Sequence, residues 1–270
     1  MMFNRFNQRV GISLTVFIVL LAVIGSLYTP YDPVAQNLAE ILQPPSASHW
    51  FGTDQYGRDV FSRALSSAGD SLMISVLSVA IATGLGSVTG AVCGFFGNWV
   101  DRLVMMLMDA YMAFPSLLLA LAITTMIGPR RYGVVIALGL TYLPTVVRVV
   151  RSVVLSLREK EFVEASYALG NTSAYTIFRH ILPNCIGPVL MIASSLMATA
   201  LLTESALSFL GLGIPPPAAT WGGMLAESKL FVGTAIWLAV FPGLAIIITL
   251  LGFNLLGDAL RDRFDPRMNL

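Results

Sequence analysis

Apolar runs long enough to cross a bilayer recur along this chain, and they restrict its fold more than any other feature. A helix rises about 1.5 Å per residue, so about 20 apolar residues cover the hydrocarbon core. Windows of that kind fall near 10–28, 72–96, 103–127, 133–150, 186–210 and 232–256. The fourth is the weakest, because Pro144 interrupts it and Arg148 and Arg151 follow. Charged residues make up 11% of the 270 positions, whereas a water-soluble domain carries about a quarter. So few charges cannot build a surface that faces water throughout, so membrane lipid is the first partner implied. The sequence predicts an all-α, polytopic membrane protein with about six transmembrane helices. The apolar run at 10–28 is longer than the usual core of a signal peptide, and no A-x-A site follows it. It reads as an uncleaved first helix.

An even number of spans puts both termini on one side of the membrane, and the distribution of Lys and Arg says which. With the termini cytoplasmic, the inner segments hold Arg5, Arg9, Arg102, Arg148, Arg151, Arg158, Lys160, Arg179, Arg261, Arg263 and Arg267. The outer segments hold Arg58, Arg63, Arg130, Arg131 and Lys229, giving 11 against 5. The pair Arg130–Arg131 dissents, but the total favours cytoplasmic N- and C-termini. No polar low-complexity linker divides the chain, which reads as one domain in two parts. Residues 1–71 form the first span plus an external loop, and residues 72–270 form a core of five spans. Within the external loop, residues 56–67 put Val60, Phe61, Ala64 and Leu65 on one helical face, the pattern of a short helix lying in the interface or packed on the protein. A net charge of +1 gives no support for nucleic acid as a partner. Cys93 and Cys185 form no CxxC and read as buried free thiols.

The segment 158–184, REKEFVEASYALGNTSAYTIFRHILPN, is longer than a passive helical bundle needs. A charged helix start leads into Ala165, Ala168 and Leu169, then meets Gly170 and Asn171, a pair suited to closing a helix and turning the chain. Thr172 or Ser173 can cap a second helix through Thr176, Phe178 and Ile181, which the sequence expects to stop near Pro183. The result is a helix–turn–helix with apolar residues on a short exposed helix, a knob suited to a groove on a partner.

The spacing E-A-S-x-x-x-G at 164–170, with I-L-P ending thirteen positions after the glycine, resembles the EAA loop of permease subunits of bacterial ABC importers. Three further segments resemble the C-type permeases of the peptide/nickel branch of that family. They are HWFGTDQYGRDVFSR (49–63), ESALSFLGLGIPPP with a following WGGML (204–225), and FNLLGDALRDRFDPR (253–267). The resemblance implies the type I importer permease fold and a multi-pass place in the bacterial inner membrane. It implies partners as well: a second, different permease subunit, two ATP-binding cassette subunits and an extracytoplasmic substrate-binding protein. In such a system the EAA loop carries the helix that docks on the ATPase. Glu164, Ala165 and Gly170 match its signature, and Thr172, Tyr175, Phe178 and Arg179 would hold much of the docking surface, with Pro183 closing the motif. Ser166 stands where a second alanine is common in the family. Met106 stands three residues before Asp109, where the family often has arginine, which puts an intrahelical charge pair there in doubt.

Only Asp109 and Glu204 are acidic within the apolar windows, and an intramembrane acid suggests a gate or a pathway. Asp109 falls toward the inner interface, within reach of Arg102, Arg148 or Arg151, and Glu204 falls near the outer surface. Pro115, Pro144 and Pro242 lie within spans and can kink them. The chain has no GxxxxGK[ST] phosphate cradle, so ATP hydrolysis belongs to partner subunits and this chain is not an enzyme. No cofactor is implied. An ion-coupled secondary transporter would need acids near the midplane and an internal repeat, and neither is evident. An intramembrane hydrolase would need a nucleophile with a base, yet the only histidines, His49 and His180, lie in loops. The family branch takes peptides, nickel or metal chelates. Two histidines and no cysteine pair tilt the reading toward peptides.

Overall fold

The computed structural model describes residues 2–264, and among them there is no strand. Arg267 and the end of the 253–267 motif lie outside the described residues. Five helices are long and apolar enough to cross a membrane: α1 (Met2–Leu27), α2 (Val60–Phe96), α5 (Arg131–Leu157), α9 (Ile186–Phe209) and α11 (Trp237–Phe264). A sixth crossing is made by two helices in series, α3 (Asn98–Met112) and α4 (Ser116–Ile127), bent by 95° at the break between them. This pair carries the chain from one end of the bundle, where Asp101 meets Arg151, to the other, where Arg131 meets Asp70 at 2.8 Å.

Three expectations need correction. The third span, 103–127, is not one helix, because Pro115 supplies no N–H and opens α4 instead of continuing α3. The fourth span, weakest in the sequence because of Pro144, Arg148 and Arg151, is the most enclosed of the candidate spans, with 67% of its window buried. It runs unbroken through Pro144, and Arg148 and Arg151 have carboxylate partners on α3. Residues 56–67 form no separate interfacial helix. Asp59 caps α2 by accepting a hydrogen bond from the Ser62 N–H (2.8 Å), and Val60 begins a helix that runs without interruption to Phe96.

The heart of the bundle is the contact between α2 and α5. Gly86, Gly90 and Gly94 recur every four residues and so share one face of α2. On that face a Cβ at Gly90 would come within 2.6 Å of the Val147 carbonyl oxygen, and one at Gly86 within 2.7 Å of the Val146 Cβ. Small residues at this spacing let helix backbones approach closely in a membrane, where packing rather than water exclusion drives association. Around this pair lie α9, α4 and the peripheral α1 and α11, which pack on each other with Gly11 against Leu255. The chain start, the far end of α11 and the connection after α5 therefore share one end of the bundle.

At the opposite end the long connection 28–59 is pinned, not free. Arg58 donates to Asp54 (2.6 Å) and to Glu227 (2.7 Å), and Arg63 also donates to Glu227 (3.1 Å). His49 Nδ1 lies 2.8 Å from Asp59, and the Trp237 indole donates to the Thr53 carbonyl at 3.2 Å. Arg58 and Arg63 are buried. With Arg131 they meet carboxylates at this end, so three of the five Lys and Arg residues that the sequence assigned to the outer segments are paired within the chain.

Candidate functional site

The connection after α5 folds into α6 (Glu161–Ala168), a turn, and a second helical stretch. That stretch comprises α7 (Ser173–Thr176), a π-helical turn (Ile177–Ile181) and α8 (Leu182–Asn184). Gly170 has φ +78°, a left-handed value that side-chain-bearing residues adopt only with strain. Its N–H bonds to the Tyr167 carbonyl (2.8 Å), and the Asn171 N–H bonds to the Ser166 carbonyl (3.2 Å), so the turn closes α6 as the sequence expects. Thr172 is the cap of the next helix, its hydroxyl accepting from the Tyr175 N–H (3.3 Å).

The second helical stretch stops at Asn184, one residue past Pro183, as the sequence expects. The π turn shifts the Leu182 N–H onto the Ile177 carbonyl, five residues back, just ahead of the residue that cannot donate. The Asn184 side-chain amide donates to the His180 carbonyl at 2.6 Å. The helix passes Pro183 and hands over to α9 at Ile186 with one non-helical residue, Cys185, between them. Burial raises the Cys185 thiol to about 11, which leaves it protonated and unreactive near neutrality.

The expected site residues fall into an outer surface and an inner tie. Glu164, Ala165, Gly170, Thr172, Tyr175, Phe178, Arg179 and Pro183 are all exposed. Ser166 is buried, its hydroxyl 2.9 Å from that of Thr176, and the Thr176 hydroxyl also donates to the Thr172 carbonyl (3.2 Å). Serine in place of a second alanine therefore links α6 to α7. Val163, Ile177 and Ile181 pack inward, and Phe95 at the end of α2 stacks on Tyr167 at 6.2 Å. The fold is anchored from below and presents an apolar top. Leu169 (81% exposed) and Phe178 (61%) stand furthest out, with Phe162, Tyr167 and Tyr175 around them. Leu169 was missing from the expected surface. The signal for it was present: a large apolar residue immediately before a turn glycine has no core to enter.

Asp109 and Glu204 do not share a site. Asp109 accepts from Arg148 at 2.7 Å, on a face that the rest of the chain leaves open. Glu204 is fully enclosed near the far end of α9, where the Ser208 hydroxyl donates to it at 2.7 Å. Ser208 in turn accepts from the Thr220 hydroxyl (3.2 Å), and Thr220 caps α10 (Trp221–Ser228) through the Gly223 N–H. Glu204 thus fixes the α9–α10 connection, which the Trp221 N–H pins to Ser71 of α2 at 3.1 Å. An open cavity of about 570 Å³ lies between α5, α9 and α11 on the side of the exposed knob, lined in part by Ser194, Ser195, Asn254, Asp258 and Arg261. Among the described residues no group of three His, Cys, Asp or Glu side chains is placed to hold a metal ion.

Comparison with known proteins places this geometry. Residues 86–270 match the family described as the binding-protein-dependent transport system inner membrane component. The chain is 42% identical over 259 residues to the dipeptide transport system permease protein DppC of Alkalihalophilus pseudofirmus, covering 96% of this chain and 85% of that one. It is also 42% identical over 270 residues to a protein of Brucella suis provisionally named as a peptide transport system permease, covering 99% and 90%. A Brucella abortus protein of similar provisional name is 43% identical over 265 residues, covering 97% and 88%.

Proposed function

This chain belongs to the family of binding-protein-dependent transport system inner membrane components, and from that premise we propose that it forms half of the pathway of an ATP-driven peptide importer. The other half is a second, different permease subunit. Two ATP-binding cassette subunits supply the energy, and an external binding protein delivers the cargo. Both termini and the 158–184 knob face the cytoplasm. In support, the start of α1 and the described end of α11 lie with the knob at one end of the bundle, and the Lys and Arg residues of the connecting segments are most numerous there.

The observation that carries this reading is the knob itself. An apolar tip of Leu169, Tyr175 and Phe178 stands exposed on the knob, with Tyr175 resting edge-on against His180. It fits a helix-in-groove contact, in which one short helix transmits the movement of a partner. Closure of the ATPase pair on ATP would move the knob, and α5 and α9, which flank it directly, would carry the movement into the membrane. Peptide cargo is favoured over nickel because the relatives above are named for dipeptides and peptides. The test is uptake by proteoliposomes containing the complete complex. A labelled dipeptide should accumulate only with ATP inside and binding protein outside. Accumulation without ATP, driven by an ion gradient, would overturn the reading.

A further inference from the structure

Two features of one face contradict a position against lipid. The first is the Asp109–Arg148 pair. Asp109 lies eleven residues beyond Asn98, about 16 Å along its helix, and Arg148 lies nine residues short of Leu157, about 14 Å from that end. Both distances are shorter than the thickness of a bilayer. Yet the side chains are 62% and 49% exposed, whereas the buried pair Arg58–Asp54 shows 6% and 5%. A half-open ion pair facing hydrocarbon is strongly disfavoured.

The second feature is the break between α3 and α4. Residues 109–118 are all exposed, and α4 starts at Ser116 with no side-chain cap for its first N–H groups. Backbone donors left without partners are tolerated at membrane depth only where protein or water meets them. Of α3 only Met108 is buried, and the arginines that meet Asp101 and Asp109 both come from α5.

We propose that this face lines the aqueous translocation pathway and that Asp109 and Arg148 are contacts for the ionised ends of the cargo. Arg148 meets a carboxylate and Asp109 an ammonium group, each exchanging its partner in the pair for the passing ligand. The exchange keeps every charge neutralised, so the cargo crosses this depth without a bare charge. The cargo assignment rests on the peptide reading above, whereas the assignment of the face to water does not.

The test uses the complete complex in proteoliposomes, with Cys93 and Cys185 replaced by serine. Asp109→Cys and Ser116→Cys, with Leu20→Cys on exposed α1 as a lipid-facing control, are treated from both sides with a membrane-impermeant methanethiosulfonate. Positions 109 and 116 should react at least about tenfold faster than position 20, since only a hydrated thiol ionises and attacks. Equal rates overturn the pathway assignment, as does cover by the partner subunit, which would leave all three slow. In the second arm, Asp109→Asn and Arg148→Gln should each cut uptake of a zwitterionic dipeptide about tenfold, while ATP hydrolysis continues and Asp109→Glu retains most of the uptake. Equal loss in Asp109→Asn and Asp109→Glu, or no loss in either neutral variant, overturns the contact role. If the isolated binding protein retains no peptide, the peptide reading fails, and the labelling arm still decides the pathway assignment.

Discussion

At the scale of single residues, the knob depends on two positions with different jobs. Gly170 provides a backbone geometry, and no atom lies within 4 Å of where its Cβ would be. Gly170→Val therefore meets no clash, but its left-handed φ costs about 1–2 kcal/mol. The Ser166 hydroxyl accepts a longer bond from the Asn171 side chain (3.3 Å) and meets Thr176, which keeps the Thr172 carbonyl as acceptor when the serine hydroxyl is removed. Ser166→Ala should cost only about 1 kcal/mol. The expected outcome is an asymmetry in protease sensitivity of the 158–184 segment. Gly170→Val should open it to cleavage near the turn, whereas Ser166→Ala should leave it close to the parent protein. The turn was legible because glycine followed by asparagine after a helical run has a specific backbone meaning. The tie from Ser166 to Thr176 was not, because a small-for-small exchange does not say what the hydroxyl will meet.

At the scale of elements, the α2–α5 contact sets the stability of the bundle. Gly90 faces backbone and branched side chains that cannot withdraw, so Gly90→Val forces the helices apart. Overpacking of this kind costs about 1–3 kcal/mol or more, and the variant should lose monodispersity in detergent at a lower temperature than the parent. A control at Gly84, which has nothing within 4 Å of its Cβ position, should tolerate alanine. The G-x-x-x-G-x-x-x-G spacing at 86–94 is visible in the sequence, but only the structure shows that α5 is the surface it meets. The number of spans was legible in the sequence, whereas the enclosure of α5 and the break at Pro115 were not. α5 scored poorly for Arg148 and Arg151, yet α3 supplies a carboxylate to each. The 103–127 run scored well because its composition is apolar, and mean hydropathy does not register that Pro115 ends one helix and begins another. Likewise 56–67 read as a helix lying in the interface or packed on the protein because Val60, Phe61, Ala64 and Leu65 share one face and Asp59 and Arg63 fall off it. Asp59 and Arg63 are enclosed by His49 and Asp54 of the adjoining connection and by Glu227, which is distant in sequence.

At the scale of the whole molecule, the six crossings divide the labour between ends. One end is closed by buried ion pairs that fix the 28–59 connection to α2 and α10. The other holds the exposed knob, the ends of α2 and α5, and the 570 Å³ cavity. On the proposed reading the chain takes its energy from a partner, and the knob offers that partner an exposed apolar tip. The most direct measurement is co-purification of the ATPase subunits with the membrane complex when the tip is altered. Phe178→Arg and Glu164→Lys change exposed side chains only, so both variants should reach the membrane at parental levels. Phe178→Arg removes an apolar anchor worth about 2 kcal/mol or more at an interface, so it should reduce retained ATPase at least about tenfold, with Glu164→Lys falling in the same direction. Full retention of ATPase in both variants, with ATP-driven uptake unchanged, would contradict the assignment of this surface.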